Sequence, residues 1–421
     1  MASPTWRGRG CDTVNGHPGA PDATHRPLHV AVVTETYPPE INGVANTLHQ
    51  MCHGLAARGH RLTLVRPSQG DHDHGAEGDA SIHEVPTSGA PLPFYQGLQV
   101  GLPAGRIIAR TFRESPPDIV YIATEGPLGV SAHRAARRLR LPVIAGFHTN
   151  FQTYSRHYGI GLLAPTVLAY LRRFHNRCHC TLVPTRELAD ELASRDFRNL
   201  RVWSRGVDTE LFSPARRDAA IRRAWGIDDD ALGVLYVGRI APEKNIDLAV
   251  EAFEAIRSER PDARFVLVGD GPEAKRLQAA HPEFIFRGPR TGEDLAAHYA
   301  SADLFLFPST SETFGNVVTE SMASGLTTVA FGMAAAGEHL RDRINGLVAP
   351  PSDPAAFCAR ALQGATEDEL RGEMARAARA DALGLGWPAV ISRLEDIFNE
   401  TLDSVTGENS HESVVTATER T

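Results

Sequence analysis

The chain has 421 residues, 42% of them apolar and 22% charged, with a formal net charge of −8. That balance excludes a disordered or fibrous chain, and the length suggests two globular domains or one large one, able to bury a core without covalent staples. Five scattered cysteines, an odd number, argue against a disulfide framework, and no apolar run is long enough to span a bilayer.

Residues 1–27 are polar, rich in Gly, Pro and His, and lack the apolar core of a signal peptide. They read as a disordered extension, residues 405–421 as a disordered tail, and the protein as cytoplasmic. The first strand signal, Val30 to Val33, runs through Thr34-Glu35-Thr36-Tyr37-Pro38-Pro39-Glu40-Ile41-Asn42 to Gly43, which opens a helix reaching about Ala57 and stopped at Gly59. A glycine there delivers backbone amides to whatever lies beyond the strand end. No GxGxxG is present, so a dinucleotide site is a poor fit. After the strand Leu62 to Val65, Asp71 and Asp73 form an Asp-x-Asp in a Gly- and His-rich loop that reads as solvent-exposed.

The runs Ile119–Ile122, Pro142–Ala145 and Thr181–Val183 continue the strand–helix alternation of a parallel sheet with helices on both faces. His148 directly follows one of them, which places it at the carboxyl edge of that sheet. Cys178-His179-Cys180 has no second ligand pair and is not read as a zinc site. Between Gly101 and Arg186, twelve arginines stand against Glu114, Asp118 and Glu125. Such a region suits an anionic surface or substrate, or a set of solvated helix faces such as Arg134, Arg137, Arg138 and Arg140. The apolar-basic stretch Ile160 to Arg177 suits a membrane surface or a core-facing helix with a basic end.

A second strand series comprises Val234–Val237, Phe265–Val268, Phe284–Phe286, Leu304–Phe307 and Thr328–Phe331. The chain thus reads as α/β, two Rossmann-like doubly wound domains facing across a cleft, joined near Gly206-Val207-Asp208. The boundaries are 28–205 and 206–385. After Val237, Gly238-Arg239-Ile240-Ala241-Pro242-Glu243-Lys244-Asn245 carries two cations on one turn, and Lys244 is one of only two lysines in the chain. Two fixed cations facing a pyrophosphate would stabilise it as a leaving group. Asp228-Asp229-Asp230 reads as another exposed loop. After Phe307, Glu312 and Glu320 flank Phe314, Gly315 and Asn316, where a helix begins. A helix N-terminus beside glycine suits a phosphate, and flanking carboxylates suit hydroxyls. Phosphate plus polyol describes a nucleotide sugar.

Taken together, Glu312 to Glu320, Gly238 to Asn245, Leu267-Val268-Gly269-Asp270-Gly271-Pro272-Glu273, Arg205-Gly206-Val207-Asp208 and Phe147-His148-Thr149 resemble family 4 retaining glycosyltransferases of the GT-B fold, over residues 28 to 403. The resemblance implies that Glu320 holds the donor ribose and Glu312 the donor sugar. It implies that Arg239 and Lys244 bind the diphosphate, and that the backbone of Phe314, Gly315 and Asn316 cradles sugar and phosphate. It further brings Gly43 to the phosphates and His148 to the donor sugar near the reacting carbon, and it implies a closing helix, over 386–404, that returns to the first domain.

Gly126-Pro127-Leu128-Gly129 and Phe147 to Phe151 are similar to bacterial enzymes that glycosylate lipids, including mannosyltransferases. The expected activity is therefore transfer of a hexose, mannose or glucose, from a GDP- or UDP-sugar to a lipid or lipid-linked glycan. No metal, cofactor or nucleic acid is expected, and an anionic membrane surface is an expected partner. A nucleotide-sugar epimerase and a non-catalytic nucleotide-sugar-binding subunit are the alternatives.

Overall fold

Alternation along the strands decides how the cores form. In the first, β1 (His29–Val33), Val30 and Val32 enter one apolar cluster while Ala31 and Val33 enter another on the opposite face. Every residue of β1 is buried, as expected of a central parallel strand covered on both sides. The computed structural model describes residues 26–38, 40, 42–68, 81–91, 99–148, 164–227 and 231–418. The Asp71 and Asp73 loop, Asp228 to Asp230 and the extension up to residue 25 lie outside these.

The first domain is a seven-stranded parallel sheet in the order β3-β2-β1-β6-β7-β8-β9. Its other strands are β2 (Arg61–Pro67), β3 (Ile82–Thr87), β6 (Ile119–Ile122), β7 (Val143–Gly146), β8 (Cys180–Val183) and β9 (Leu200–Val202). A short antiparallel ribbon, β4 (Gly89–Pro91) with β5 (Gln99–Gly101), stands apart from it. The second domain is a six-stranded parallel sheet ordered β12-β11-β10-β13-β14-β15. Its strands are β10 (Gly233–Val237), β11 (Arg264–Val268), β12 (Ile285–Gly288), β13 (Leu304–Phe307), β14 (Thr327–Phe331) and β15 (Leu347–Ala349).

In each sheet the chain works outward from its first strand, then returns to add the next strand on the other side. Successive connections part at that point, between β1 and β6 and between β10 and β13. A crevice opens there at the carboxyl ends. The loops that leave these four strands carry most of the site residues expected from sequence.

The chain crosses between domains twice, side by side. Val207 N–H donates to Leu385 O at 3.0 Å. The returning helix, Trp387–Thr418, lays Val390, Ile391, Leu394, Ile397 and Phe398 against Leu48, Met51 and Leu55 of the first domain. Trp203 Nε1–H donates to Val390 O at 3.0 Å. This helix passes the expected end at 404 and continues to Thr418. The polar stretch after 404 contains no proline and one glycine, so nothing breaks a helix already nucleated upstream.

The two domains also cap each other's helices. Glu187 accepts from Ala334 N–H at 3.0 Å, at the start of the Ala334–His339 helix. Glu338 accepts from Arg186 N–H at 2.8 Å, at the start of the Arg186–Ala193 helix. Each carboxylate meets the positive end of a helix on the other domain.

Glu395 is the polar pin of the returning helix. It is 3% exposed, lies 2.8 Å from His60 Nε2 and accepts from Arg58. Removing one partner of a buried ionic group leaves the others unmet. Glu395→Ala is therefore expected to lower stability by about 2–4 kcal/mol in denaturant titration. A loss below about 0.5 kcal/mol would mean that water substitutes for the carboxylate.

Candidate active site

On the first domain, the loop after β1 ends at Asn42, whose side chain accepts from Val44 N–H and Ala45 N–H at 3.1 and 2.8 Å and so caps the Gly43–Ala57 helix. Earlier in that loop, Glu35 Oε1 accepts from Leu128 N–H at 3.2 Å, at the first turn of the Pro127–Arg138 helix. Burial, with a small addition from Glu125, pushes the Glu35 carboxyl up to about 7. His148 follows β7, with Nε2 3.1 Å from the Tyr121 hydroxyl. Its Nδ1 is buried with no partner among the described residues. Burial, then Arg205 and His175, push its pKa down to about 3, so the ring is neutral under ordinary conditions and holds one unmet hydrogen-bonding atom.

On the second domain, two loops are stitched together. Tyr236 O–H donates to Arg239 O at 2.9 Å, Ser311 O–H donates to Glu243 O at 2.8 Å, and Asn245 Nδ2 donates to Pro308 O at 3.4 Å. Lys244 Nζ lies 2.6 Å from Glu312 Oε1, which also accepts from Ser309 O–H at 2.8 Å. Arg239 turns outward, 63% exposed, and pairs with Glu243 at 2.9 Å. Gly315 stands at φ +90°, left-handed backbone that favours glycine, and turns the chain into the Asn316–Ala323 helix. Glu320 accepts from Tyr299 O–H at 3.0 Å, and burial pushes its carboxyl up to about 7.

Arg205, on the first crossing, joins the halves. It is 6% exposed, donates to Asn316 Oδ1 at 3.4 Å and lies 5.6 Å from the centroid of the Phe314 ring. A Cβ added to Gly43 would sit 3.0 Å from Arg205 Nη1 and 3.7 Å from Asn316 Nδ2. The N-termini of one helix from each domain therefore converge on one guanidinium. Dipole ends and a cation meeting in a largely dehydrated place suit an anion with several oxygens.

Of the residues expected from sequence, Gly43, Phe314, Gly315 and Asn316 come together around Arg205. Lys244 and Glu312 come together as an ion pair. Arg239 is on the same turn as Lys244 but points to solvent, and Glu320 lies further along the helix with Tyr299. Sequence reasoning named Arg205 only as part of a segment and did not single out Tyr121, Tyr299 or Glu35. An arginine directly after a strand signal at a domain crossing was the readable clue, but β9 has only three residues and gives almost no strand pattern.

Cys178 and Cys180 are free and buried, and Cys178 Sγ lies 3.6 Å from Phe174 O. The Ala164–His175 helix buries Leu171 and Phe174 and exposes Val167 and Tyr170, so it faces the core and solvent at once.

Two parallel-sheet domains with phosphate-suited loops at both switch points define a nucleotide-sugar enzyme of the GT-B type. The family model described as "Glycosyltransferase Family 4" matches residues 41–211 and that described as "Glycosyl transferases group 1" matches 231–367. A GDP-mannose-dependent alpha-mannosyltransferase of Corynebacterium glutamicum is 34% identical over 371 residues, 88% of each chain. An alpha-monoglucosyldiacylglycerol synthase of Acholeplasma laidlawii is 28% identical over 72% of this chain and 80% of its own. Among solved structures, sucrose-phosphate synthase of Thermosynechococcus elongatus superposes with a TM-score of 0.72 at 18% identity, over 90% of this chain and all of the other. The chain belongs to the family 4 glycosyltransferases.

Glu320 gives a test by pH. Its folded pKa of about 7 lies above the ordinary 4.5, so the folded chain holds a proton that the unfolded chain has already released between those values. Stability then falls as pH rises through that interval. Glu320→Gln keeps an acceptor for Tyr299 without the charge. It is expected to be more stable than wild type at pH 8, by on the order of 1–3 kcal/mol, with little difference near pH 4.5. Equal effects at both pH values in denaturant titration would remove the buried-charge assignment.

Proposed function

We propose that this enzyme transfers a hexose, mannose before glucose, from a nucleoside diphosphate sugar to a hydroxyl of a lipid or lipid-linked glycan. Transfer retains the configuration at the anomeric carbon and occurs at the inner face of the cell membrane. The observation that carries the reading is the convergence of Gly43, Asn316 and Arg205, since two helix termini and a guanidinium together suit a diphosphate. The donor and lipid classes are supported by the names of the C. glutamicum and A. laidlawii relatives.

In this reading the ion pair between Lys244 and Glu312 holds both side chains in place before substrate arrives. The diphosphate replaces Glu312 as the partner of Lys244, and Glu312 becomes free to accept from hydroxyls of the sugar. Arg239 swings from Glu243 to the same diphosphate, and Glu320 accepts from the ribose. The unmet Nδ1 of His148 takes a further sugar hydroxyl.

As the bond from the anomeric carbon to phosphate oxygen breaks, charge grows on the diphosphate. Lys244, Arg205 and the Asn316 helix terminus stabilise it. The acceptor oxygen bonds to the anomeric carbon on the face the phosphate leaves, and its proton passes to a departing phosphate oxygen. No protein base and no metal are required in this scheme. Glu35, protonated in part near neutral pH, stands on the first domain's side of the cleft, where it hydrogen-bonds the acceptor.

Lys244→Ala should lower kcat/KM by an amount equivalent to about 2–4 kcal/mol, more than Arg239→Ala, whose side chain starts in solvent. Glu312→Gln should lower kcat while leaving affinity for GDP equal or tighter, because Lys244 is released. Weaker GDP binding by Glu312→Gln, measured by calorimetry, would overturn the exchange of partners.

Activity with GDP-mannose should persist in EDTA. Loss in EDTA with recovery on adding manganese would overturn the metal-free scheme and bring Asp71 and Asp73 back.

A further inference from the structure

Away from the donor cleft, the Pro127–Arg138 and Ala164–His175 helices enclose a groove of about 530 Å³. Arg134, Arg137 and Arg138 line one wall at i, i+3 and i+4, the spacing that puts side chains on one helix face. Arg173 and Arg177 line the other, also four apart, with Tyr170 beside them. All five guanidiniums are exposed, and none has a carboxylate or carbonyl partner among the described residues.

Some neighbouring arginines are paired. Arg172, one residue from Arg173, pairs with Asp196 at 3.3 Å, and Arg195 with Glu191 at 2.8 Å. Five like charges around one concavity repel each other, and the Glu125 carboxylate nearby is turned to His175. Guanidinium forks match phosphate oxygens two at a time. A groove of this volume takes more than a bare phosphate.

The rim adds a second feature. Val167 and Tyr170, one turn apart on the Ala164–His175 helix, are 42% and 44% exposed. Large apolar side chains beside an unpaired basic groove form a surface suited to a charged interface with an apolar interior. Tyr170 O–H also donates to the backbone carbonyl of Glu125. Glu125 lies on the loop after β6, at the cleft, and its carboxylate is 3.0 Å from His175 Nε2. The groove is thus tied directly to the cleft's first-domain lip.

We infer that this arginine groove is the docking site for phosphate-bearing headgroups of an anionic phospholipid bilayer, seated so that the cleft opens toward the membrane. The choice of occupant rests on the lipid-acceptor reading, but docking needs neither donor nor transfer. The groove itself, between two named helices, replaces the single amphipathic helix suggested by the stretch Ile160 to Arg177, since Arg172 of that stretch is already paired.

The test is co-sedimentation of the full chain with vesicles of phosphatidylcholine alone or mixed with phosphatidylglycerol, without donor. Wild type should bind the anionic vesicles and release as salt rises. Each arginine at such a surface is worth roughly fivefold, so the double substitution Arg137→Glu, Arg173→Glu should weaken partitioning at least about tenfold. Arg223→Glu with Arg376→Glu, two exposed arginines of the second domain, makes the same change in net charge and should stay within about twofold of wild type. GDP binding by the groove variant, by calorimetry, should equal wild type, which separates loss of docking from loss of the donor site. Equal binding to neutral vesicles, or a groove variant within twofold of wild type, overturns the inference. So does release of wild type from anionic vesicles by millimolar inorganic phosphate at constant ionic strength, which would make the groove a site for free anions.

Discussion

A nearly dehydrated guanidinium at the junction of two domains constrains the rest of this molecule. Arg205 is charged in an environment that pushes its pKa down to about 10, chiefly through burial. A buried cation survives only where dipoles and partial charges replace lost water. Here the Asn316 amide oxygen and the face of the Phe314 ring supply part of that replacement. Arg205 Nε remains without a partner among the described residues. The free enzyme therefore carries an incompletely satisfied cation where both domains meet, and an anion bound there offsets a cost already present. Pre-organisation of this kind stabilises developing charge without reorganisation during the reaction.

The same logic explains the pairing of Lys244 with Glu312. An isolated lysine near Arg205 would raise the local positive potential further. Glu312 neutralises it and fixes both side chains, helped by the Ser309 hydroxyl. The pair is mostly buried, 20% and 15% exposed, so the cost of desolvating both charges offsets much of their attraction and the net contribution to stability is small. Its value lies in geometry: a ligand with phosphate at one end and hydroxyls at the other can take both members at once. A ligand with phosphate alone would leave Glu312 facing a like charge.

Much of this was legible in the sequence because strand, loop and helix agree at each motif. Val234 to Val237 reads as a strand, Gly238 to Lys244 as its loop, and β10 starts one residue earlier, at Gly233, and ends at Val237 as read. The Asn316–Ala323 helix begins where a glycine and an asparagine follow two loop residues. The strands that escaped reading, β3, β4, β5, β9 and β15, have mixed burial or only three residues, too few for a period to register. Arg205 escaped because its importance is tertiary. Nothing local marks an arginine that will be covered by a helix terminus 111 residues away. The outward turn of Arg239 has a local cause instead: Glu243, four residues on in the same loop, takes its guanidinium.

How the domains are tied decides what movement the cleft allows. The two crossings lie side by side, and the returning helix is fastened to the first domain by an apolar face and by Glu395. That region acts as the fixed edge. Beside the first crossing, where Ser204 Oγ lies 3.1 Å from His339 Nε2, Glu187 and Glu338 each cap a helix of the other domain through one exposed or half-exposed hydrogen bond. Such contacts are weak and salt-sensitive. Next to the packed returning helix, these polar contacts are the weaker ties between the domains. Arg205 lies on the first crossing in sequence yet reaches the Asn316 helix terminus of the other domain, so the place suited to a diphosphate is built from both domains before any ligand arrives.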